Sequence, residues 1–128
     1  MRTLGATLTA VNRGSVTIEL PFHEALGQQD GFAHAGAIAS IADSACGYAA
    51  MTRMEPGDRV LSIEFKVNML KPATGDRFSA EARVIRAGRS IIVCEASVHA
   101  ITGTERVHVA QMQGTMMSLR SDGTAGRS

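Results

Sequence analysis

Residues 35–53 read AGAIASIADSACGYAAMTR, and this stretch decides the fold. Its clearly polar side chains before the C-terminal end are Ser40, Asp43 and Ser44. A helix that is apolar on nearly all sides is usually buried rather than amphipathic. We therefore expect one long central helix, which the Pro-Gly pair at 56–57 then ends.

Short strands are predicted on both sides of this helix. Two lie before it, followed by a loop over 22–33 with a short helical turn near His23–Leu26. After the helix, apolar and polar residues alternate with the period of a β-strand. Tight turns between these later strands favour an antiparallel meander. The six predicted strands are 6–11, 15–20, 60–69, 77–86, 90–101 and 105–117.

One apolar helix and one sheet can bury their apolar surfaces only if the sheet curves around the helix. This predicts an α+β fold, with an antiparallel sheet of five to six strands wrapped around one long central helix. Residues 1–118 would form a single domain and residues 119–128 a disordered tail. Because one helix cannot cover both faces of a sheet, we expect a partner subunit, with a homodimer as the minimum.

Composition argues against several classes of protein. The 13 basic and 12 acidic residues are scattered along the chain, and no basic stripe favours nucleic acid. No stretch reaches the ~18 apolar residues of a membrane span, and no signal segment is visible at the start. We therefore predict a cytoplasmic protein that binds neither nucleic acid nor membrane. Cys46 and Cys94 would be reduced core residues in such a protein.

Asp43 lies in the middle of the predicted buried helix. The positions three and four residues away hold no Lys or Arg to neutralise it, and an unpaired buried carboxylate is costly. Gly36, Ser40, Asp43 and Gly47 share one helix face, which leaves space for another backbone or for a ligand. Two interpretations stay open at this point: a structural aspartate that bonds a neighbouring subunit, or a catalytic carboxylate.

The segment QQDGFAHAG, residues 28–36, runs straight into the start of this helix. Free N–H groups at a helix start carry partial positive charge and can hold a developing oxyanion. Asp43 lies nine residues after His34, about two and a half turns away. The N–H groups at the helix start and the Asp43 carboxylate of one subunit therefore cannot both contact the same carbonyl. Two helices that meet across a dimer axis could, which predicts a shared site at a subunit interface.

The segments GFAHAG at 31–36 and ASIADSA at 39–45 closely resemble the hotdog-fold acyl-CoA thioesterases, particularly their phenylacetate-degradation branch. That family carries Gly-x-x-His-Gly-Gly at the helix start and an acidic residue nine positions after the His. SIEFKVNMLKPA at 62–73, with GD at 75–76, and RAGRS at 86–90 fit the family's later strands and loops. The resemblance spans about residues 15–117 and implies an acyl-CoA substrate.

The resemblance implies catalytic roles around the helix start. Asp43 would be the general base or the nucleophile, and the backbone N–H of Ala35, next to Gly36, would be the oxyanion donor. We expect His34 to have a positional role. Ala35 replaces the usual Gly of the family; a helical backbone there would tolerate Ala, whereas a positive φ would not.

Further site residues are implied in the loops and in the strand after the helix. Gln28 would orient the carbonyl or the water. Ser62, grouped by alternation with Glu64 on the polar face of its strand, would assist the nucleophile. Met112, Met116 and Met117 are candidates for lining an acyl pocket. The residues that match a region contacting the pantetheine and phosphates of CoA are Arg86, Gly88, Arg89 and Ser90.

The implied reaction is hydrolysis of a thioester without metal or cofactor. A thioester lacks amide-like resonance, so an activated water and a stabilised oxyanion suffice. A hotdog acyl-CoA dehydratase and a non-catalytic acyl-CoA binding protein are the alternatives. Aryl and medium-chain aliphatic acyl groups both stay open. The resemblance also implies a homotetramer.

Overall fold

The computed structural model describes residues 4–27 and 32–120. Every predicted element in these ranges is present, with ends that differ by at most two residues from the expected ones. A short 3-10 helix at Glu24–Leu26 matches the predicted helical turn. The main elements are β1 Thr7–Asn12, β2 Ser15–Pro21, α1 Ala35–Met51, β3 Arg59–Met69, β4 Arg77–Ala87, β5 Ile91–Thr102 and β6 Glu105–Leu119.

The strands form one antiparallel sheet in the order β1-β2-β4-β5-β6-β3. The predicted meander is correct for β4, β5 and β6, which are joined by tight turns. It is wrong for β3, which pairs with β6 instead of β4 and lies at the far edge of the sheet.

The link between β3 and β4 explains this difference, because it is a crossover instead of a hairpin turn. Leu70 N–H donates to the carbonyl of Val109 at 2.7 Å, and Asp76 N–H donates to the carbonyl of Ile101 at 2.9 Å. The link therefore passes across the ends of β6 and β5 on its way to the other side of the sheet. Ala33 N–H donates to the carbonyl of Ala73 in the same link at 2.8 Å, which ties it to the segment before α1.

One face of α1 packs on the concave face of the sheet. Alternate residues of β5, such as Cys94, Ala96 and Val98, are fully buried and point towards the helix. Alanine dominates the helix side of this contact, which lets the sheet approach closely. The predicted α+β hotdog fold is confirmed. The buried helix residues are Ala37, Ile38, Ile41, Ala42, Ala45, Cys46, Ala49 and Ala50.

The opposite face of α1 is open, so the expectation of a helix buried all round is wrong for a single chain. One sheet curves around only part of the helix circumference, and the remaining side meets solvent. Asp43 is accordingly half-buried instead of fully buried. The exposed or half-buried residues on this open face include Gly36, Ser40, Asp43, Gly47, Tyr48 and Met51.

Strand β3 combines a free edge with exposed apolar side chains. Leu61, Ile63 and Phe65 are 50%, 47% and 47% exposed. As the last strand of the sheet, β3 has backbone N–H and C=O groups on one side that no strand of the described chain pairs. Exposed apolar residues beside an unpaired edge are typical of an interaction surface.

The convex face of the sheet is polar. Ser97 donates to Gln111 at 2.8 Å, and the rings of His99 and His108 stack with their centroids 4.9 Å apart. Arg106 and Glu81 form an ion pair beside them. This face therefore differs in chemistry from both the core and the β3 edge.

The two cysteines are free and buried, as expected for reduced core residues. The Cys94 thiol donates weakly to the carbonyl of Cys46 at 3.5 Å. Burial raises the pKa of Cys94 to about 11 and also raises the pKa of Cys46. Both side chains act as apolar filling between α1 and β5.

Three predictions about the wider chain stay predictions. Residues 121–128 lie outside the described residues, so the disordered tail and the domain limits stay predictions. Within the described ranges, no helix combines the length and the hydropathy needed to span a membrane. The cytoplasmic location also stays a prediction.

Candidate active site

Asp43 and Ser62, which the family resemblance linked as the catalytic carboxylate and the residue that assists it, meet in the structure. Ser62 Oγ donates a hydrogen bond to Asp43 Oδ1 at 3.2 Å. Asp43 comes from the open face of α1 and Ser62 from β3, so the contact joins the helix to the edge strand. The hydroxyl holds one carboxylate oxygen in place, and the half-buried carboxylate still faces the outside of the chain.

A break in the β3 ladder places Ser62 on the helix side. Ser62 pairs with the buried Met116, but Glu64 pairs with Thr115, and Ile63 between them has no partner in the register. Paired residues share a face of the sheet, and one extra residue reverses the alternation. The expectation that Ser62 shares a face with Glu64 is therefore wrong: Glu64 faces away from α1, and Ser62 faces Asp43.

His34 fixes the start of α1 through its backbone. It is the N-cap residue with φ −62° and ψ 136°, and its side chain makes no capping bond. Its N–H donates to the carbonyl of Leu26 at 2.8 Å, and its own carbonyl accepts from Ala37 N–H at 3.0 Å. The imidazole is exposed. These contacts agree with a positional role.

Ala35 and Gly36 are the first two residues of α1. Their N–H groups precede the region of i→i−4 bonds within the helix, so they are available as donors to an anion. Ala35 has a helical backbone. Of the two backbone conformations considered from the sequence, helical and positive φ, this is the one in which Ala replaces Gly without strain. A Cβ added to Gly36 would meet no atom within 4 Å, so the space around this helix start is open.

One chain does not bring the helix start and the carboxylate together. Asp43 lies eight residues beyond Ala35, a rise of about 12 Å along the helix. The donors and the acid of a single chain therefore serve different places. Gln28, predicted to orient the carbonyl or the water, lies outside the described residues, so its position stays a prediction.

A cavity of about 380 Å³ opens beside the Asp43–Ser62 pair, and we call it the Asp43 cavity. Its polar end is formed by Asp43, Ser44 and Ser62. Of the three methionines considered from sequence, Met116 lines it. Gly47 also lines it, on the helix face that sequence reasoning expected to leave space for a ligand. Sequence reasoning missed the remaining apolar members, although the spacing of Met51, four residues after Gly47, was a signal. Those members are Tyr48, Met51 and Val60.

The residues expected to contact CoA lie at the turn between β4 and β5. Gly88 N–H donates to the carbonyl of Ile91 at 2.8 Å, and a Cβ on Gly88 would come within 2.9 Å of that oxygen. The turn itself thus requires this glycine. Arg86 and Arg89 are exposed, and the carbonyl of Ser90 accepts from the backbone of β6.

The described chain does not place this turn in the Asp43 cavity. Arg89 instead lines a separate cavity of about 180 Å³, together with Arg53 and Ser118. The two cavities are neighbours, because Val60 in the first pairs with Ser118 in the second. A larger cavity of about 600 Å³ lies on the polar convex face and contains Lys66 and Gln113, away from Asp43.

A sequence profile of the thioesterase superfamily matches residues 30–107. The match covers more than half of the chain and includes α1, β3 and the turn between β4 and β5. The chain therefore belongs to the thioesterase superfamily, which confirms the family resemblance drawn from its motifs.

Individual proteins agree with this assignment. The structure superposes on the crystal structure of a thioesterase family protein from Silicibacter pomeroyi with a TM-score of 0.92 and 44% identity, over 94% of this chain and 88% of that one. Among curated proteins, one named as an esterase in Saccharolobus solfataricus is 34% identical over 66% of this chain and 60% of its own length. The medium/long-chain acyl-CoA thioesterase YigI of Escherichia coli is 30% identical over 66% of this chain and 61% of its own length. The chain thus spans about three-fifths of these two curated relatives.

Proposed function

We propose that this protein is an acyl-CoA thioesterase that hydrolyses an aryl- or medium-chain acyl-CoA to the free acid and CoA. The observation that carries the proposal is the Asp43–Ser62 pair at the mouth of a mainly apolar cavity. A carboxylate there can act on a thioester carbonyl while the acyl group is sheltered from water. The name of the YigI relative supports an acyl-CoA substrate.

Asp43 acts either on water or on the thioester itself. As a general base it takes a proton from water, whose oxygen bonds to the carbonyl carbon; as a nucleophile its own oxygen forms that bond, and water then hydrolyses the anhydride. In both routes the carbonyl oxygen becomes an oxyanion, the carbon–sulfur bond breaks, and the sulfur takes up a proton as CoA leaves. Ser62 orients the carboxylate.

The oxyanion donor is the N–H of Ala35 from a neighbouring subunit. A second copy that docks on the open face of α1 and the free edge of β3 would cover the exposed Leu61, Ile63 and Phe65. Two-fold symmetry would bring the start of each α1 towards Asp43 of the other chain. The homodimer is thus part of the site; a homotetramer follows from the family resemblance alone.

CoA would extend from the site to the turn between β4 and β5. Arg86 and Arg89 are exposed there, and a guanidinium matches the geometry of a phosphate. Gly88 and Ser90 shape the turn. Gln28 is proposed to orient the carbonyl or the water from the loop before α1.

The central test compares the wild type with Asp43→Asn on a panel of aryl and aliphatic acyl-CoAs, by release of free thiol. Glu105→Gln is a matched control, because it makes the same acid-to-amide change at an exposed position at the start of β6. We expect thiol release from the wild type and the control, and loss of it from folded Asp43→Asn. Binding of CoA esters without turnover by the wild type would favour the alternative, a non-catalytic acyl-CoA binding protein.

A second test addresses the shared site. Ala35→Pro removes the N–H donor, and proline suits the first helical position after a residue with extended backbone, such as His34 at ψ 136°. Mixing the inactive Ala35→Pro and Asp43→Asn chains before dimer assembly gives some dimers with one intact site. About a quarter of wild-type activity should return on statistical mixing. No recovery despite proven subunit mixing would show that the site lies within one chain.

A further inference from the structure

We infer that the Asp43 cavity holds the acyl group, that Gly47 keeps it open, and that Met51 sets the length of acyl chain it accepts. The inference rests on the proposed thioesterase function and names its substrate class: an uncharged acyl group, either one aromatic ring or a straight chain of medium length. Nothing in the motif around the helix start assigns Gly47 or Met51 such a role.

The cavity follows a line along the open face of α1. Asp43, Gly47 and Met51 recur every four residues, so their positions are stacked on one side of the helix. From Asp43 to Met51 the helix rises about 12 Å. The carboxylate stands at one end and the flexible thioether at the other, with Val60 of β3 across from Gly47.

Packing within the chain does not explain the glycine at position 47. It lies inside α1, where glycine costs about 1 kcal/mol relative to alanine. Its φ is not in the left-handed region, and an added Cβ would approach Val60 Cγ1 only to 3.9 Å, an ordinary contact. The backbone and the described neighbours would thus tolerate alanine. What glycine provides is an open passage between the carboxylate and Met51.

The residues that line the cavity determine which acyl groups it can bind. Asp43 is the charged member of the lining, and it lies at the reacting end. Met51, Val60 and Met116 supply apolar surface beyond it, so a second charge on the acyl group would lose its hydration without a partner.

The length of acyl group that fits in the cavity follows from the rise of the helix between Asp43 and Met51. An extended chain of carbon–carbon bonds, each about 1.5 Å long, advances roughly 1.25 Å per carbon. A carbonyl held next to Asp43 therefore leaves room for at most about nine further carbons before Met51, so the acyl chain of octanoyl-CoA fits within this length. A single ring on a short spacer is shorter than this and also fits.

The experiment measures kcat/KM on straight-chain acyl-CoAs from acetyl to dodecanoyl. In Gly47→Leu, the added side chain enters the cavity, so octanoyl-CoA should lose at least about tenfold relative to acetyl-CoA. Met51→Ala opens the far end and should move the optimum to a longer chain. Ala10→Leu adds the same side chain at an exposed position of β1, outside the cavity; it is the matched control and should keep the wild-type order of substrates.

The outcomes separate this inference from the proposed function. An equal loss on all chain lengths in Gly47→Leu, or a weaker dimer with unchanged selectivity, would assign the cavity to subunit packing and overturn the inference. If Gly47→Leu does not fold, an unmoved optimum in Met51→Ala overturns it. If the wild type releases no thiol, the proposed function fails; the inference then requires that Gly47→Leu weaken binding of octanoyl-CoA more than binding of acetyl-CoA.

Discussion

Helix α1 has two faces with opposite demands. The inner face, with Ile38, Ile41 and Cys46 fully buried, is built from apolar side chains that fill the space under the sheet. The outer face carries glycine, serine and Asp43, which contribute little to packing in the single chain. The inner face stabilises the fold, and the outer face leaves room for the proposed substrate and the proposed second subunit.

This division means that stability and activity should respond to substitutions on different sides of one helix. An inner-face change leaves a cavity in the core, whereas an outer-face change alters the site. The helix is apolar overall, so its amino-acid composition does not reveal the difference between its two faces. Variants on the two faces, and on the strand that meets the outer face, can test the division directly.

The largest effect is expected on the outer face. Asp43→Asn should lower kcat by about 10²–10⁴-fold, because an amide cannot accept the proton of water or attack the carbonyl. Its midpoint of thermal unfolding should stay close to that of the wild type, since Asp43 is only half-buried. Thiol-release kinetics and a thermal melt on one preparation check both points. A large drop in the midpoint would show that Asp43 has a structural role.

On the inner face, Ile41→Ala should lower the free energy of unfolding by about 2–5 kcal/mol, because Ile41 is fully buried and the cavity cannot collapse completely. Urea unfolding measures this change. The folded fraction should keep its kcat. Ser40→Ala, one position away on the exposed face, should change the free energy by less than about 0.5 kcal/mol. Equal effects of the two variants would contradict the division into faces.

Ser62→Ala tests how the outer face depends on β3. The variant removes the donor to Asp43 Oδ1, so the carboxylate loses a fixed orientation, and kcat should fall by about tenfold. The free energy of unfolding should change by less than about 1 kcal/mol, since the Ser62 side chain is exposed. Ser62→Thr keeps the hydroxyl and should retain more activity than Ser62→Ala. Equal activity of these two variants would argue against a role for the hydroxyl.

The smallest effect on stability is expected on the convex face of the sheet, which faces away from α1. Burial lowers the pKa of His99 from 6.5, the nearby Arg106 and His108 lower it further, and Glu81 opposes the shift. The unfolded chain therefore takes up a proton first as the pH falls through 6.5, and stability declines until folded His99 also protonates. The decline should stay below about 1 kcal/mol, since His99 is partly exposed.

Unfolding free energies measured at several pH values test this decline. The variant His99→Gln should flatten the acid side of the profile without changing thiol release at neutral pH. An unchanged slope would assign the pH dependence to other groups.

Local sequence signals predicted the elements of this fold and missed part of their arrangement. Alternation located strands such as β2, β5 and β6 because each has one buried and one exposed face, whereas β1 and β3 are largely exposed on both faces in the single chain. The neighbour of β3 could not be predicted in this way, since β3 pairs with residues of β6 that lie between Met69↔Ala110 and Arg59↔Leu119 in register, far away in the sequence. The link at 70–76 resembles a turn locally, and only its bonds to Val109 and Ile101 reveal a crossover.

The candidate site shows the same limit. Asp43 stood out because it is the one carboxylate in a largely apolar helix, although the structure leaves it half-buried instead of fully buried. Ser62 was selected by family resemblance, but its face was wrong, because alternation cannot show the break at Ile63. Val60 joins the Asp43 cavity only because β3 lies beside β6, so no local pattern could have selected it.

The crossover of β3 also orders the events of synthesis. Strand β3 leaves the ribosome well before residues 105–119, which form its partner in the sheet, have been made. Until then its apolar side chains have no partner strand, whereas β4 can pair with β2, and β5 with β4, as soon as each strand emerges. The edge strand β3 is therefore a late addition to its own sheet, and the nascent chain exposes its apolar side chains until β6 has been made.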